Sequence, residues 1–411
     1  MRVIVVGAGP AGASIAYLLA RRGIDVTLVE RHTDFAREFR GEALMASGRS
    51  AVAEMGLADE LARVPHVRLA ELEIFRGERR LAVFGMLGQV GGISGPEIVS
   101  QPAMLEMLVE QASRLPSFRI ERGATVRDVL RDDAAGGRIA GVRIDGAGGE
   151  RELRADLVIG ADGRTSTLRK RTALDLDVTR YPQAFDIVWF KVPLPAFAAD
   201  LPRARAYLGR GHAALMFPSY DDRLQIGWII DKGSFGELRA RGIDAWLEAM
   251  REHVSRDLSE HLARHRGDVS HPFLLDVVCD RVARWTAPGL LLVGDAAHAM
   301  SPVGAQGINL ALRDAIVVAN ELVPVLARDG AAPAEIDAAA ARVQAVREPE
   351  VVAIQQLQQG PPPVLFGHAW WSRLVIDHAL PFLVRTGIAQ AVALPTLRRL
   401  TTGVADVHLR V

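Results

Sequence analysis

The aliphatic run Arg2 to Val6 (RVIVV) leads directly into Gly7-Ala8-Gly9-Pro10-Ala11-Gly12, and no other feature limits the fold so strongly. A strand, a glycine turn and the helix-compatible stretch Ser14 to Arg22 are expected in that order, with Gly23 closing the helix. Asp25 to Glu30 (DVTLVE) supplies a second short strand and completes a βαβ unit. In such a unit Gly7 permits the tight turn, Gly9 lets the backbone approach a pyrophosphate, and Gly12 allows close packing of helix on strand. The helix then turns its positive end toward the phosphates. Glu30 ends the second strand, placed to accept from a ribose hydroxyl. This geometry serves NAD and FAD alike, so a second signal has to choose between them.

Leu157 to Gly160 (LVIG) and Leu290 to Gly294 (LLLVG) have the unbroken aliphatic character of strands covered on both faces, and are expected to share one parallel sheet with the first. Between them the period changes to two. Glu71 to Phe75, Arg79 to Phe84, Ala204 to Leu208, Ala213 to Phe217 and Leu224 to Ile230 are expected to form a second, antiparallel sheet inserted into the first domain. Thr125 to Leu153, turning at Ala135-Gly136-Gly137, is expected to form a small meander. The fold class is thus α/β, a Rossmann-type domain with an inserted antiparallel-sheet domain and a helical C-terminal tail. The expected division is 1–67, 98–175 and 277–350 for the nucleotide-binding domain, 68–97 and 176–276 for the inserted one, and 351–411 for the tail.

Composition narrows the partners. Lys+Arg 49 against Asp+Glu 49 leaves no net basic surface for nucleic acid. A single cysteine, Cys279, can make neither an internal disulfide nor a multi-thiolate metal site, which suits a reduced cytoplasm. The apolar stretch Val364 to Pro395 is broken by His368, Arg373, Asp377, His378 and Arg385, so no run reaches the roughly 18 residues of a membrane span.

The choosing signal comes late. Gly294-Asp295-Ala296-Ala297-His298 ends a buried strand and is followed by Ser301-Pro302-Val303-Gly304-Ala305-Gln306-Gly307-Ile308-Asn309, where glycines admit close approach and a helix begins. Such a helix end stabilises negative charge on a flavin ring. Gly160-Ala161-Asp162-Gly163-Arg164 marks a third strand end. An Asp at either place can equally cap a helix or close a turn.

In that order and at those separations, GAGPAG with Glu30, GADGRTSTLR (Gly160 to Arg169) and GDAAHAMSPVGAQGIN (Gly294 to Asn309) resemble the class A flavin monooxygenases, aromatic hydroxylases of the para-hydroxybenzoate hydroxylase type, over roughly residues 1–350. The resemblance implies FAD, with Gly9 to Ala13 at the pyrophosphate, Glu30 and Arg31 at the adenosine ribose, the Val126 backbone at the adenine, Asp295 at the ribityl segment, and Gly304, Ala305, Gly307, Ile308 and Asn309 at the isoalloxazine. Asp162 belongs to the same set. Arg40 and Gln101 stand where that family carries further flavin contacts.

It also implies NAD(P)H and O2 as co-substrates, a flavin C4a-hydroperoxide, and hydroxylation of an aromatic or polyketide-like small molecule. No second glycine fingerprint appears, so the reductant is expected to bind transiently. Trp189, Tyr207, His212, Phe217, Tyr220 and Trp228 are candidate substrate walls, although aromatics on alternating strands also suit core packing. His298 is expected to make a structural hydrogen bond, and no catalytic base stands out. A halogenase of this fold would carry a W-x-W-x-I-P element, which Gly227-Trp228-Ile229-Ile230-Asp231 lacks; a reductase, an oxidase or a non-catalytic flavin-binding protein are the other readings. After Gly360-Pro361-Pro362-Pro363 an apolar stripe recurs every three or four residues, so an amphipathic helical pair broken near Pro381 is expected, covered by the chain's own body or by a second subunit of a homodimer.

Overall fold

The computed structural model describes residues 1–36, 42–86, 95–209, 213–270, 272–360, 379, 382–383, 386 and 388–411, the side chains of 388–393 excepted. Arg40, His212, Trp370 and Trp371 lie outside the described residues, as does most of the first half of the expected tail pair.

The β-branched opening forms the strand Arg2–Val6 at the middle of a six-stranded sheet. Its neighbours on one side are Leu157–Gly160, Leu290–Leu292 and the short Thr286–Ala287; on the other are Asp25–Glu30 and Phe118–Arg122. Every pairing is parallel except Thr286–Ala287 with Leu290–Leu292. The three aliphatic runs are therefore adjacent strands, and the loops that follow them share one edge. Helices Pro10–Arg21 and Gln306–Leu326 pack on each other, and their aliphatic faces join the strands in one core. The meander forms as Thr125–Asp132, Arg138–Gly146 and Gly149–Arg154.

The second sheet has seven strands, in the order Phe273–Leu275, Phe185–Pro193, Arg223–Asp231, Ala213–Pro218, Arg203–Leu208, Glu71–Arg76, Arg79–Gly85. It departs from the expected antiparallel pattern at one place: Arg203–Leu208 runs parallel to Glu71–Arg76. These two strands belong to segments separated by a long passage through the first domain, so no hairpin forces them to oppose. Strand alternation gives the sheet two different faces. Val188, Phe190, Tyr207, Met216, Ile226 and Trp228 pack against Trp246, Leu247, Met250, Leu258 and Leu262 of the backing helices. Ile187, Trp189, Ala213, Leu215, Phe217 and Ile229 turn the other way, against Val277 and Val303 at one end and Ala43 and Ile98 at the other.

The helix Pro333–Gln359 runs unbroken through residue 351 and ends at Gly360. It meets the Gln306–Leu326 helix through a buried charge network. Asp314 accepts from the Gly294 amide at 3.0 Å, from His298 Nε2 at 2.9 Å and from Arg347 Nε at 2.8 Å. Glu350 takes Arg347 on one oxygen, Arg313 on both, and the Val404 and Ala405 amides at 2.8 and 3.1 Å. The tail returns as the helix Ile388–Thr402, and Val407, Leu409 and Val411 pack on the first domain's core. Leu400 packs on the same core, while Phe382, Leu397 and Val404 remain exposed.

Burial, the largest influence on Asp314, pushes its carboxyl up, but His298 and Arg347 outweigh it and hold it down at about 2. A carboxyl depressed on folding contributes stability above its unfolded value near 4 and loses it as the pH falls through about 2. Asp314→Asn is expected to cost about 3–5 kcal/mol at neutral pH, because it takes one of the two carboxylate partners from the buried Arg347 and the charged partner from His298. Urea unfolding at neutral pH and near pH 3 checks both parts: the difference between wild type and variant shrinks in acid.

Candidate active site

Because the three strands are neighbours, their following loops converge. Gly7 has φ +96°, and a Cβ there would lie 2.4 Å from the Ala161 carbonyl oxygen. One on Gly12 would lie 1.9 Å from the Gly7 oxygen. Both glycines are thus dictated by close packing. Gly9 differs: a Cβ there would meet nothing within 4 Å, so this glycine borders open space. Pro10 is the first helical residue, and no side chain caps the helix or puts an acid into its first turn, which leaves the amides of Ala11 and Gly12 at a bare positive end, while the Ala13 amide donates to the Gly9 carbonyl at 2.9 Å. Glu30, 3% exposed, accepts from the Ala8 amide at 2.8 Å and the His32 amide at 3.0 Å, so it braces the turn from beneath as well as facing the strand end. Arg31 points outward and donates to the His32 ring at 3.0 Å. The meander enters beside them, with the Ala124 amide on the Glu30 carbonyl at 3.0 Å, and Val126 follows two residues on.

The two aspartates divide their roles. Asp162 accepts from the Thr167 and Leu168 amides at 2.7 and 3.2 Å and so caps the short helix Thr167–Arg171. Burial raises its carboxyl above the ordinary range, and its other oxygen has no hydrogen-bond partner among the described residues. Asp295 remains about one-third exposed, paired with Arg164 Nε at 3.1 Å. Gly307, in the first turn of the Gln306–Leu326 helix, stands next to it, its Cβ position 3.9 Å from Asp295 Oδ1. That helix too has no capping side chain and no acid in its first turn. Its N-cap, Ala305, has φ +52°, and Gly304 before it has φ +73°.

Asn309, fully buried in the next turn beside Ile308, fastens this loop to the second layer. It donates to the Ala305 and Ala43 carbonyls at 2.7 and 3.2 Å and accepts from the Met45 amide at 2.8 Å. Gln101 opens the helix Gln101–Ser113 but does not cap it; Ser100 does, accepting from the Ala103 amide at 3.4 Å. Two uncapped helix ends, an open glycine and a one-third-exposed aspartate on one edge fit the elongated, anionic FAD.

Of the aromatic wall residues, Trp189 and Phe217 face this edge, their rings 6.0 Å apart, and Trp189 lies flat across Gly227, whose Cβ would sit 2.7 Å from the indole. Tyr207 and Trp228 do not: Tyr207 stacks on Phe75 at 5.2 Å and Trp228 on Trp246 at 5.6 Å within the helix-backed core. His298 spends its Nε2 on Asp314, the structural bond expected of it. The sequence reading missed a buried polar cluster where the sheet meets the strand Ala43–Leu44. There Tyr220 donates to Glu42 at 3.3 Å, and Lys191 donates to Ser219 and Asp221, both at 2.8 Å. Lys191 is one of only three lysines and interrupts the apolar strand FDIVWFKVP, which was the available signal.

The family model described as an FAD binding domain matches residues 1–351. The 6-methylpretetramide 4-monooxygenase of Streptomyces rimosus is 33% identical over 100% of this chain and 93% of its own length. A probable FAD-dependent monooxygenase of Pseudomonas aeruginosa, PqsL, superposes with a TM-score of 0.74 at 26% identity, covering 92% of this chain and 99% of that one. The p-nitrophenol 4-monooxygenase of Pseudomonas putida shares the fold, with a TM-score of 0.79 at 18% identity over 98% of both chains. The chain belongs to the FAD-dependent aromatic monooxygenase family and is an FAD-dependent monooxygenase. No helix among the described residues is long and apolar enough to cross a membrane.

The two aspartates lead to a paired expectation. Asp295→Ala is expected to weaken FAD binding about tenfold with little change in melting temperature, since a pair open to solvent contributes little to stability. Asp162→Ala is expected to lower the melting temperature by several degrees through loss of a buried cap. FAD titration of the apoproteins and thermal melts separate the two effects; equal FAD affinities would contradict this division of labour.

Proposed function

We propose that the chain hydroxylates a planar, multi-ring phenolic of the aromatic polyketide kind, held between the seven-stranded sheet and FAD. The observation that carries this reading is the broad apolar face around Trp189 and Phe217, turned toward the convergent loops and built without a charged side chain at its centre. The end-to-end similarity to a monooxygenase named for a polyketide supports it. Gly7, Gly9, Pro10, Ala11, Gly12 and Ala13 would cradle the pyrophosphate, with Glu30 and Arg31 at the ribose and the Val126 backbone at the adenine. Asp295 would meet the ribityl chain and Asp162 would hold its loop in place. Gly304, Ala305, Gly307, Ile308 and Asn309 would lie along the ring, flanked by Gln101, with Arg40 as a further contact.

FAD held by these residues would supply the redox chemistry, hydride acceptance from NAD(P)H and activation of O2. The protein's own part is positional. The uncapped amides of the Gln306–Leu326 helix stabilise negative charge on the ring. Trp189 and Phe217 orient a flat substrate and exclude water from the space above it.

The purified protein is expected to carry one non-covalent FAD and to oxidise NAD(P)H slowly alone and at least about tenfold faster with a hydroxylated anthraquinone or naphthol. With 18O2 the product should gain one labelled oxygen. Acceleration without label incorporation would make the protein an oxidase or reductase instead.

A further inference from the structure

The polar cluster at the junction of the layers has a place in the chemistry that positioning alone does not use. Glu42 immediately precedes the strand Ala43–Leu44, whose Ala43 carbonyl receives Asn309 of the ring-facing loop, and its own carbonyl accepts from the Val99 amide at 2.9 Å. It is 3% exposed. One carboxyl oxygen takes the Tyr220 hydroxyl at 3.3 Å; the other is buried with no hydrogen-bond partner among the described residues. Strand alternation puts Lys191 and its cross-strand neighbour Gln225 on the same face as Trp189 and Phe217. The Gln225 side-chain oxygen is likewise buried without a partner among the described residues. A buried carboxyl oxygen left unsatisfied costs about 1–3 kcal/mol, more when charged, and is retained where something fills it.

The groups that surround Glu42 settle which of them can change charge near neutrality. Tyr220, its ring 4.7 Å beneath the Lys191 ammonium, is pushed up to about 12 by burial and by the Glu42 charge, so it stays a donor. Lys191 is tied to Asp221. On the adjoining strand, Glu97 is held low by Arg68 and Arg49 against the effect of its burial. Glu42 itself is pushed up to about 7 by burial, with a smaller push from the Asp221 charge, opposed by Lys191 and by hydrogen bonding from Tyr220 and the Gln225 side chain.

We propose that Glu42 receives the aromatic hydroxyl of the substrate: its unpartnered oxygen accepts that hydroxyl's hydrogen bond and, in turnover, its proton. This rests on the substrate being a phenol, as proposed for the apolar face. The substrate O–H bond breaks, its electron pair stays on the ring oxygen, and the proton forms a new O–H bond on Glu42. The ring becomes electron-rich where oxygen is to be inserted, with Lys191 nearby to steady the negative charge. The ring carbon that has gained oxygen then loses its hydrogen as a proton to solvent, aromaticity returns, and Glu42 gives its own proton back to the original ring oxygen, so the carboxylate is unchanged over the cycle.

The test compares two probes on the FAD-loaded protein, 2-naphthol and 2-methoxynaphthalene, with affinity read from tryptophan fluorescence at about pH 6 and about pH 8, either side of a carboxyl that titrates at about 7. The naphthol stays neutral across this range, so its affinity should tighten about five- to tenfold at the higher pH as its hydrogen bond becomes charge-assisted. The methyl ether, which has no proton to give, should show no change. Glu42→Gln should bind naphthol without pH dependence, keep its FAD, and make less hydroxylated product per NAD(P)H consumed. Should that variant fail to fold, the wild-type comparison decides alone. Equal pH dependence for the two probes overturns the role of Glu42 and leaves the substrate reading standing; failure of both to bind overturns the substrate reading and this inference with it.

Discussion

The interaction on which the rest of the structure depends is the buried carboxylate of Asp314. It holds the Gly294 amide, the His298 ring and the Arg347 guanidinium at once, and so fixes from behind the loop whose front carries Asp295 and Gly304 to Asn309. Charges removed from water are tolerated when they are paired, and here Arg313, Arg347 and Glu350 pair with one another and with Asp314, with only Arg347 Nη2 and His298 Nδ1 of this group buried without a hydrogen-bond partner among the described residues. The same Glu350 receives the returning tail at Val404 and Ala405. Loop position, helix packing and tail docking are therefore one electrostatic arrangement, and the front of the loop is left with uncapped amides for a ligand to meet.

A second constraint is the two-sidedness of the substrate sheet. Its central strands give one set of side chains to the helices behind and the other to residues in front, Val277, Val303, Ala43 and Ile98 among them. Trp189 can lie flat only because its cross-strand partner is Gly227, which has no side chain to lift it. The polar members of the front face are gathered at one end, where Lys191, Gln225, Ser219 and Tyr220 meet Glu42. A flat aromatic between the layers would thus have apolar surface along its length and hydrogen-bonding groups at one end.

How much of this was legible follows from what periodicity can encode. Unbroken aliphatic runs announced the three central strands, and the Gly7 to Gly12 spacing announced the turn between strand and helix. Period-two runs announced the second sheet but not the direction of each pairing, so Arg203–Leu208 beside Glu71–Arg76 came out parallel against expectation. Alternation separates Trp189 from Trp228 no better than by parity, and which parity meets the helices is decided by tertiary packing. Asp162 and Asp295 follow equivalent strand ends, yet only Asp162 has a helix starting within hydrogen-bond reach. Arg347 and Glu350, three apart on a helix, read in sequence as an ordinary solvated pair, and Glu42 as part of a loop; their burial comes from partners far along the chain, 178 residues from Glu42 in the case of Tyr220, or on another helix.

The parallel pairing also governs how the chain can be made. The hairpin Glu71–Gly85 leaves the ribosome roughly 120 residues before the strand Arg203–Leu208 that its inner edge must join, a wait on the order of ten seconds at ordinary elongation rates. During that time a strand edge is open to any other extended segment. The hairpin carries Glu71, Glu73, Arg76, Arg79 and Arg80 in and around its strands, charges that make edge-to-edge association unfavourable. Once the later strand arrives, Arg203 and Arg205 pair with Glu71 and Glu73 at 2.9 and 3.0 Å, so the residues that guard the waiting edge become the ones that recognise its proper partner.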